Sequence, residues 1–406
     1  MKVQMHGLTL SYSTVFKIVC LYLAIQIGTS SAQGWNCPFN YLYHWGDGVT
    51  DIGNSIYVMP KITIPTGRKP YGMTYPGYPT GRWSDGLVDF DYSAQDLGLP
   101  NIRPYLNMNQ SNAASYDGVI FSVARSPVLG RKFFEKRDIV IPRYTVSLSQ
   151  QMRWFKGHLK YVCNSPSECS EWIGNSPALM GDIEGNDIGY ALTQGKTIAE
   201  VRTYVPAIVK TPIDRSREII KLGAKRLIIP GNGPLGCYPY ILTELASNDP
   251  KAYDELGCLA TVNNFTVWKN NYLLNAMVKL ENEFPDVQIL YGDMYNGLRA
   301  LLVNSTVIGP DGVNRALKSC CGIGGKYNFD RKRFCGDKGV PVCSNPKDYV
   351  FWDGMHYTQE GQMRVEKSLI FPALETLNCT PPDTTVSYLG SWATTYMRAS
   401  HYLATM

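Results

Sequence analysis

The chain carries none of the short motifs through which proteins commonly bind nucleotides or metals. It has no P-loop, no glycine-rich dinucleotide fingerprint and no cysteine spacing of the zinc-binding kind. A strong excess of one charge is also missing, because 39 Lys and Arg residues oppose 34 Asp and Glu residues, for a formal net charge of +5. A charge so mild and so scattered does not favour a nucleic acid partner. The sequence therefore predicts no cofactor, no metal and no nucleic acid.

Long hydrophobic runs are scarce as well. The apolar run Ile18–Ile27 is about half as long as the ~20 residues that a membrane span requires. It follows Lys2 and Lys17 and precedes the small residues 30–32, an order typical of an export signal. We predict that residues 1–32 form a cleaved signal peptide, the alternative being a membrane anchor, and that the mature chain has no transmembrane segment. The expected location is the secretory pathway, meaning the extracellular space, the apoplast or the vacuole.

Cysteine is present in an even number once that signal is removed. Of the 11 cysteines only Cys20 lies in the signal, which leaves 10. An even count in an exported chain predicts disulfide bonds. The pairs that the spacing favours are Cys163 with Cys169, Cys237 with Cys258, and the adjacent Cys320 and Cys321 with Cys335 and Cys343. Four sequons indicate a glycoprotein, and their acceptors are Asn109, Asn264, Asn304 and Asn378.

Apolar segments of strand length alternate with segments of helical periodicity along the chain. Strands are predicted at 117–124, 179–183, 226–230 and 287–291, and helices at 147–161, 198–222 and 262–283. This alternation indicates an α/β fold, with a parallel sheet that helices cover on both faces. We predict one domain over residues 33–379 and a loosely held C-terminal tail over residues 380–406.

The stretch from Tyr41 to Asn54 begins as an aromatic strand and then breaks on glycine. The break falls at Gly46-Asp47-Gly48, and a second Gly-Asn pair ends the stretch. A strand that ends in this way presents one residue at the carboxyl edge of an α/β sheet, where ligands bind. The residue presented here is Gly48, which has no side chain.

This stretch resembles block I of the plant GDSL lipase/esterase family, within the SGNH hydrolases, which reads G-D-S-x-x-D-x-G-N. The matching positions are Gly46, Asp47, Asp51, Gly53 and Asn54. Gly48 stands where the family has its nucleophilic serine. The resemblance covers residues 37–379 and implies the SGNH-hydrolase three-layer sandwich, a mostly parallel central sheet with helices on both faces. Within the family the chain is similar to esterases of the acetylajmalan esterase type, which implies small acetyl esters such as acetylated alkaloids as substrates.

Three further segments resemble blocks of the same family and imply roles for their residues. Asp353 and His356 match the D-x-x-H of block V, in which the histidine is the general base and the aspartate orients it. Asn186 matches the asparagine of G-x-N-D in block III, which donates to an oxyanion through its side chain. Gly86, at the end of G-R-W-S-D-G, would donate to the same oxyanion through its backbone N–H.

The chain departs from the family at three more positions. Where the family reads N-F-A-x-x-G-A, Ile120 replaces the asparagine and Arg125 replaces the glycine. Glu184 replaces the first glycine of block III. A carboxylate at position 184 would repel an oxyanion if it pointed inward, and a bulky cation at position 125 must alter the nearby loop.

Because Gly48 supplies no alkoxide, the family mechanism lacks its nucleophile. Thr50 lies past the turn, and Ser55 and Ser122 have no base assigned to them, so none is expected to replace the serine. One hypothesis is a non-catalytic protein that keeps a small-molecule cleft. A second is that the surviving His–Asp pair acts as a general base on water, or in an elimination, isomerisation or cyclisation. A third is an ordinary esterase whose serine is altered in this sequence.

The sequence favours the loss of serine-type ester hydrolysis together with a retained cleft for a plant specialised metabolite. The alternative is a carboxylic ester hydrolase that acts on small acetyl esters. In either case a small molecule is the expected partner.

Overall fold

The structure, a computed structural model, describes residues 2–5, 8–11, 35–60, 64–181, 183–305, 313–380 and 396–405. The apolar run and the cleavage site of the predicted signal peptide lie outside these residues. Near the N-terminus, the strands β1 (Lys2–Met5) and β2 (Leu8–Ser11) pair antiparallel with each other. In the part of the chain that is described, we find no helix with the length and apolar character needed for a membrane crossing.

A seven-stranded sheet forms the centre of the fold. Its strands are β3 (Leu42–Trp45), β4 (Ile102–Pro104), β5 (Gly118–Ile120), β6 (Ala178–Met180), β7 (Arg226–Pro230), β8 (Gln288–Gly292) and β9 (Tyr396–Arg398). They lie in the order β4-β5-β3-β6-β7-β8-β9. Every neighbouring pair is parallel except β8 and β9, which are antiparallel. The predicted α/β fold with a mostly parallel sheet is confirmed.

The strands at the middle of the sheet are buried on both faces. All residues of β3, β5 and β6 are buried, including His44 in β3. A parallel strand that helices cover on both sides has no solvent face, so its sequence shows no polar alternation. This explains why these segments read as continuous apolar runs.

Helices make up the two outer layers. They are α1 (Ser55–Val58), α2 (Asp89–Asp96), α3 (Arg131–Glu135), α4 (Leu148–Val162), α5 (Pro166–Gly174), α6 (Glu184–Leu192), α7 (Ile198–Arg202), α8 (Val205–Lys221), α9 (Pro239–Glu244), α10 (Ala260–Glu283), α11 (Met294–Asn304), α12 (Gln359–Thr376) and α13 (Ala399–Thr405). Helix α4 shows why such segments pack. Its buried residues include Leu148, Met152, Phe155, Leu159 and Val162, whose spacing of three and four gives one apolar face.

The connections between strands place these helices on opposite faces of the sheet. Helix α2 lies in the connection from β3 to β4, and it contacts α12, which contacts α11. Helices α4, α8 and α10 lie in the connections that lead to β6, β7 and β8, and α8 contacts both others. The connection that contains α2 and the connections that contain α4, α8 and α10 move along the sheet in opposite directions. Because crossovers between parallel strands are right-handed, the two sets of helices cover opposite faces.

The direction of the connections reverses at β3. The chain first passes from β3 to β4 and β5 on one side, and later reaches β6 on the other side. In open α/β sheets, the crevice outside the carboxyl ends of the strands at such a reversal is where ligands bind. Gly48, Arg125 and Asn186 follow β3, β5 and β6, respectively, and therefore lie at this crevice.

The C-terminal residues 396–405 dock against the sheet, which differs from the loosely held tail that the composition suggested. Strand β9 pairs with the edge of β8 over three residues. The N–H of Ala399, at the start of α13, donates to Oε1 of Glu281 at 2.7 Å. The docked strand covers backbone groups of β8 that would otherwise form an open sheet edge. Residues 381–395 of the predicted tail lie outside the described residues.

Disulfide bonds close several loops, and one of them joins distant parts of the chain. The predicted local pairs Cys163–Cys169 and Cys237–Cys258 are present. The adjacent cysteines bond separately, Cys320 to Cys343 and Cys321 to Cys335. Cys37 bonds to Cys379 across a sequence separation of 342. This last bond fixes the segment that precedes β3 to the segment that follows α12.

Candidate active site

Asp353 and His356 form a hydrogen-bonded pair in the loop that precedes α12. Oδ1 of Asp353 accepts from the N–H of Met355 at 3.1 Å and from that of His356 at 3.0 Å. The carboxylate thereby closes the turn that carries the histidine. The same carboxylate lies 2.9 Å from Nδ1 of His356. The spacing of three residues thus brings the acid and the imidazole together as the sequence predicted.

Two aromatic residues hold this pair in place. The Tyr71 hydroxyl donates to Oδ2 of Asp353 at 2.8 Å, and the Trp83 ring lies 4.8 Å from the imidazole of His356. Burial by itself raises the pKa of Asp353, but the charge of His356 and the hydrogen bonds to the carboxylate lower this pKa overall. An ionised Asp353 favours the tautomer with hydrogen on Nδ1, which leaves Nε2 of His356 as the free base.

Nε2 of His356 faces Gly48. A Cβ atom placed on Gly48 would overlap with Nε2 and would lie 3.4 Å from Cβ of Ala124. The imidazole therefore fills the space that a side chain at position 48 would take. In the part of the chain that the structure describes, no hydroxyl or thiol group hydrogen-bonds to Nε2.

The hydroxyl groups of Thr50, Ser55 and Ser122 bond to groups other than His356. Oγ of Ser122 accepts from Thr50 Oγ1 at 2.9 Å and lies 2.9 Å from Nδ1 of His44. Oγ of Ser55 accepts from Nε1 of Trp83 at 3.1 Å. Burial lowers the pKa of His44 to about 3, so this ring is neutral and acts as a hydrogen-bonded core residue.

Asp51 and Asn54 build the turn that follows β3. Asp51 accepts from the N–H groups of residues 53–55 and, across the crevice, from that of Ala124 at 2.9 Å. Nδ2 of Asn54 donates to the carbonyl O of Ser122 at 3.0 Å. These bonds tie the segment after β3 to the segment after β5, so the two residues hold the framework of the crevice.

Asn186 lies in the first turn of α6 at the same crevice. Its Nδ2 donates to Oδ2 of Asp47 and to the carbonyl O of Ser126, the latter at 3.1 Å. An amide nitrogen has two hydrogens, so both are in use. An oxyanion would have to displace one of these partners, and the role of Asn186 as an oxyanion donor stays a prediction.

Gly86 is placed differently from the other predicted site residues. It is not among the residues that line the cavity with His356 and Asn186. Its N–H donates to Oγ of Ser84 at 3.3 Å, and a Cβ atom on it would overlap with the Gln359 side chain. The structure thus brings Asn186, Asp353, His356 and Gly48 together but does not add Gly86 to them, and its donor role also stays a prediction.

Arg125 does line the cavity. Its backbone has a φ of +65°, the left-handed region that glycine adopts readily and other residues rarely do. The hydroxyl of Tyr190 donates to its carbonyl O at 2.8 Å. The loop thus keeps a glycine-like backbone although the residue is an arginine. Ile120, the other departure on this segment, is fully buried at the end of β5.

Glu184 points into the protein rather than towards the crevice. Its carboxylate forms a buried ion pair with Nζ of Lys269 in α10, and the side chains are only 4% and 0% exposed, respectively. The positive charge of Lys269 compensates the carboxylate. The repulsion between Glu184 and an oxyanion, which the sequence suggested, therefore does not arise. Sequence reasoning missed Lys269, as it missed Tyr71 and Trp83, because no local motif marks any of them.

The crevice opens into a cavity of about 600 Å³. Asp47, Arg125, Asn186 and His356 lie on its wall. The aromatic residues of the wall are Tyr190, Tyr238, Tyr240, Phe329 and Phe334. A mostly apolar cavity of this size, with aromatic residues and a few polar groups on its wall, is typical of a small-molecule site. Within the described ranges, no group of three or more His, Cys, Asp or Glu residues is arranged to hold a metal ion.

Comparisons with known proteins cover most of the chain. The family described as GDSL-like Lipase/Acylhydrolase matches residues 42–369. Acetylajmalan esterase 2 of Rauvolfia serpentina is 43% identical over 345 residues, which cover 84% of this chain and 92% of that protein. Acetylajmalan esterase of the same plant is 39% identical, over 89% of this chain and 93% of its own length. A GDSL esterase/lipase of Arabidopsis thaliana is 35% identical, over 91% and 99%.

Proposed function

This chain belongs to the GDSL-like lipase/acylhydrolase family, and from that premise we propose that its cavity binds small carboxylic esters and hydrolyses them. The observation that carries the proposal is the His356–Asp353 pair, bonded at 2.9 Å, on the wall of the cavity beside Gly48. The names of the relatives support acetyl esters, acetylated alkaloids among them, as the substrates.

In the proposed reaction, water takes the place of the missing serine hydroxyl. Nε2 of His356 removes a proton from water while the water oxygen bonds to the ester carbonyl carbon. The intermediate then breaks its bond to the alcohol oxygen, which takes the proton from the imidazolium. The products are an acid and an alcohol, and no acyl-enzyme forms. Asp353, whose pKa is lowered by its partners although burial opposes this, stays ionised and stabilises the imidazolium.

This reaction is slow compared with that of a serine esterase. A positioned general base contributes about 10²–10⁴-fold. When the nucleophile of a serine triad is removed, only ~10³–10⁴-fold catalysis over water remains. We therefore expect turnover that is measurable with an activated ester and weak with an ordinary one.

Binding of an ester without turnover is the second candidate, and two contacts favour it. The imidazole of His356 fills the space beside Gly48, where the attacking water would stand. Both amide hydrogens of Asn186 are bonded to Asp47 and Ser126. In this alternative the cavity is a binding site that keeps the family's framework.

The two candidates are separated by kinetics with p-nitrophenyl acetate on the purified protein. Water-mediated hydrolysis predicts steady release of nitrophenolate without a burst, and no covalent labelling by a serine-directed phosphonate. His356→Ala should lose this activity, whereas His401→Ala, at an exposed histidine of α13, should keep it. Release no faster than the uncatalysed rate by the wild type would support the binding protein. Activity that survives His356→Ala would refute His356 as the general base, and phosphonate labelling within the cavity would refute both candidates.

The proposal also covers the export and processing of the protein. We infer that residues 1–32 are removed on export and that residues 33–379 form one glycosylated domain in the secretory pathway. The disulfide bonds support an oxidising compartment. The four sequon asparagines support glycosylation, because all of them are exposed.

A further inference from the structure

Arg125 is a residue of the cavity wall that the proposed hydrolysis does not use. Its left-handed backbone, with φ of +65°, is a conformation that concentrates at functional sites when a residue other than glycine adopts it. Tyr190 holds this conformation through the bond from its hydroxyl to the Arg125 carbonyl. A long cation is thus kept at the crevice in a backbone conformation that glycine would occupy more easily.

The guanidinium of Arg125 stands against two aromatic rings. Its Cζ lies 5.4 Å from the ring centroid of Trp83 and 5.8 Å from that of Phe334. Trp83 in turn packs against the imidazole of His356, so the cation and the base contact the same indole ring. Among the described residues, no carboxylate forms an ion pair with this guanidinium, and no hydrogen bond uses its nitrogens.

The cavity wall carries more positive than negative charge. Its arginines are Arg125, Arg131, Arg143 and Arg331, and its carboxylates are Asp47 and Glu244. Glu244 pairs with Arg331 at 3.1 Å, and Asp47 accepts from Asn186. The carboxylates of the wall are thus engaged by other residues, while the charge of Arg125 faces a cavity with aromatic sides.

We propose that Arg125 binds a carboxylate of the ligand, so that the cavity selects small esters that carry a free carboxylate over neutral esters. The planar guanidinium can donate two parallel hydrogen bonds to the two oxygens of a carboxylate. The rings of Trp83 and Phe334 fix the plane of the guanidinium and exclude water from it, which strengthens such hydrogen bonds. The ester part of this ligand rests on the proposed function, whereas the recognition of the carboxylate is a separate property of the wall.

A matched pair of ligands tests this selection without requiring turnover. The anionic probe is 4-acetoxybenzoate and the neutral probe is its methyl ester, which has the same ring and the same acetyl ester. We expect the wild-type protein to bind the anionic probe about tenfold to a hundredfold more tightly by calorimetry, because hydrogen bonds to charged groups are of this strength. Arg125→Gln should remove the preference and leave the affinity for the methyl ester unchanged, and Arg125→Lys should restore part of it.

Two further variants keep the test decisive. Arg125→Gly suits the left-handed backbone, so it should fold at least as well as the wild type and still lose the preference. Arg143→Gln removes an equal charge elsewhere on the wall and should keep most of the preference. Equal binding of both probes by the wild type would overturn the role of Arg125 and leave the ester-binding proposal intact. If neither probe binds, both proposals fail.

Discussion

At position 48, glycine leaves room for the imidazole of His356. With hydrogen in place of a side chain, the imidazole of His356 lies where a Cβ atom would be. The ring cannot move freely, because Nδ1 is bonded to Asp353 and the Trp83 ring packs on its face. Any larger residue at position 48 must therefore displace the ring or the backbone.

Two substitutions at this position separate steric from chemical effects. Gly48→Ala should push His356 away and lower the water-mediated hydrolysis of p-nitrophenyl acetate by about tenfold or more, since a 1 Å misplacement can cost that much. Gly48→Ser has the same steric effect but adds a hydroxyl beside the base, so it should gain a burst and labelling by a phosphonate. If serine and alanine behave alike, the remaining residues no longer form a serine-esterase site.

The ion pair of Lys269 and Glu184 predicts a strong effect on stability. Both side chains are almost completely buried, so removal of one partner leaves a charge without compensation. We expect Lys269→Met to lower the free energy of unfolding by about 3–5 kcal/mol, measured by urea denaturation. The double variant Lys269→Met/Glu184→Gln removes both charges and should recover most of this loss. A double variant no more stable than the single one would show that packing, not charge, dominates.

The residues of the site differ in how far the sequence could predict them. Gly48, Asp353 and His356 lie in short local patterns, in which spacing fixes the geometry of a turn. The pairing of Glu184 with Lys269 joins residues 85 positions apart, and no local pattern contains that information. The orientation of Arg125 likewise depends on Trp83 and Phe334, which reach it from separate loops.

At the scale of elements, carboxyl groups of helices α2 and α12 lie close together where the helices contact each other, with Glu366 buried and Asp89 and Asp96 half-buried. Burial, together with the negative charges of Asp96 and Asp89, raises the pKa of Glu366 well above its usual value. Burial raises the pKa of Asp96 as well, although Lys367 opposes the shift. The folded protein therefore holds a proton on Glu366 at a pH where the unfolded chain has released it.

The sign of the pH effect follows from this difference. Since the folded pKa of Glu366 exceeds the unfolded value of about 4.3, its contribution to stability is lost as the pH rises above that value. Glu366→Gln mimics the protonated side chain, so it should raise the melting temperature at pH 7.5 and leave it nearly unchanged at pH 4. Thermal unfolding across this range measures the difference. A gain of equal size at both pH values would show that ionisation of Glu366 is not the cause.

Element boundaries were predictable where one strong pattern covers the element. The helix predicted at 262–283 is α10, Ala260–Glu283, and the strand predicted at 287–291 is β8, Gln288–Gly292. The single helix predicted at 198–222 is two, α7 and α8, because Pro206 starts a new helix at its first turn. The short strand β9 was missed since its three residues form a strand only by pairing with β8.

At the scale of the whole molecule, the Cys37–Cys379 bond joins the segment before β3 to the segment after α12. The backbone of Asn36 pairs with that of Thr380 beside it. Asn378 lies between these contacts and is exposed, with a left-handed backbone φ of 62°. The sequon of Asn378 thus contains a disulfide-bonded cysteine. The sequons of the other three acceptors, Asn109, Asn264 and Asn304, contain no cysteine.

For the export route that we propose, this arrangement predicts unequal glycosylation. The acceptor Asn109 is exposed and its sequon is free of cysteine, so it should be occupied. Asn378 should be occupied to a smaller extent, because formation of the Cys37–Cys379 bond competes with access to its sequon. Cys37→Ser/Cys379→Ser keeps an Asn-x-Thr sequon, so it should raise the occupancy of Asn378 while lowering the melting temperature, since loss of such a bond costs about 2–5 kcal/mol. Mass spectrometry before and after treatment with a glycosidase measures both sites, and equal occupancy of Asn378 in the two proteins would contradict the competition.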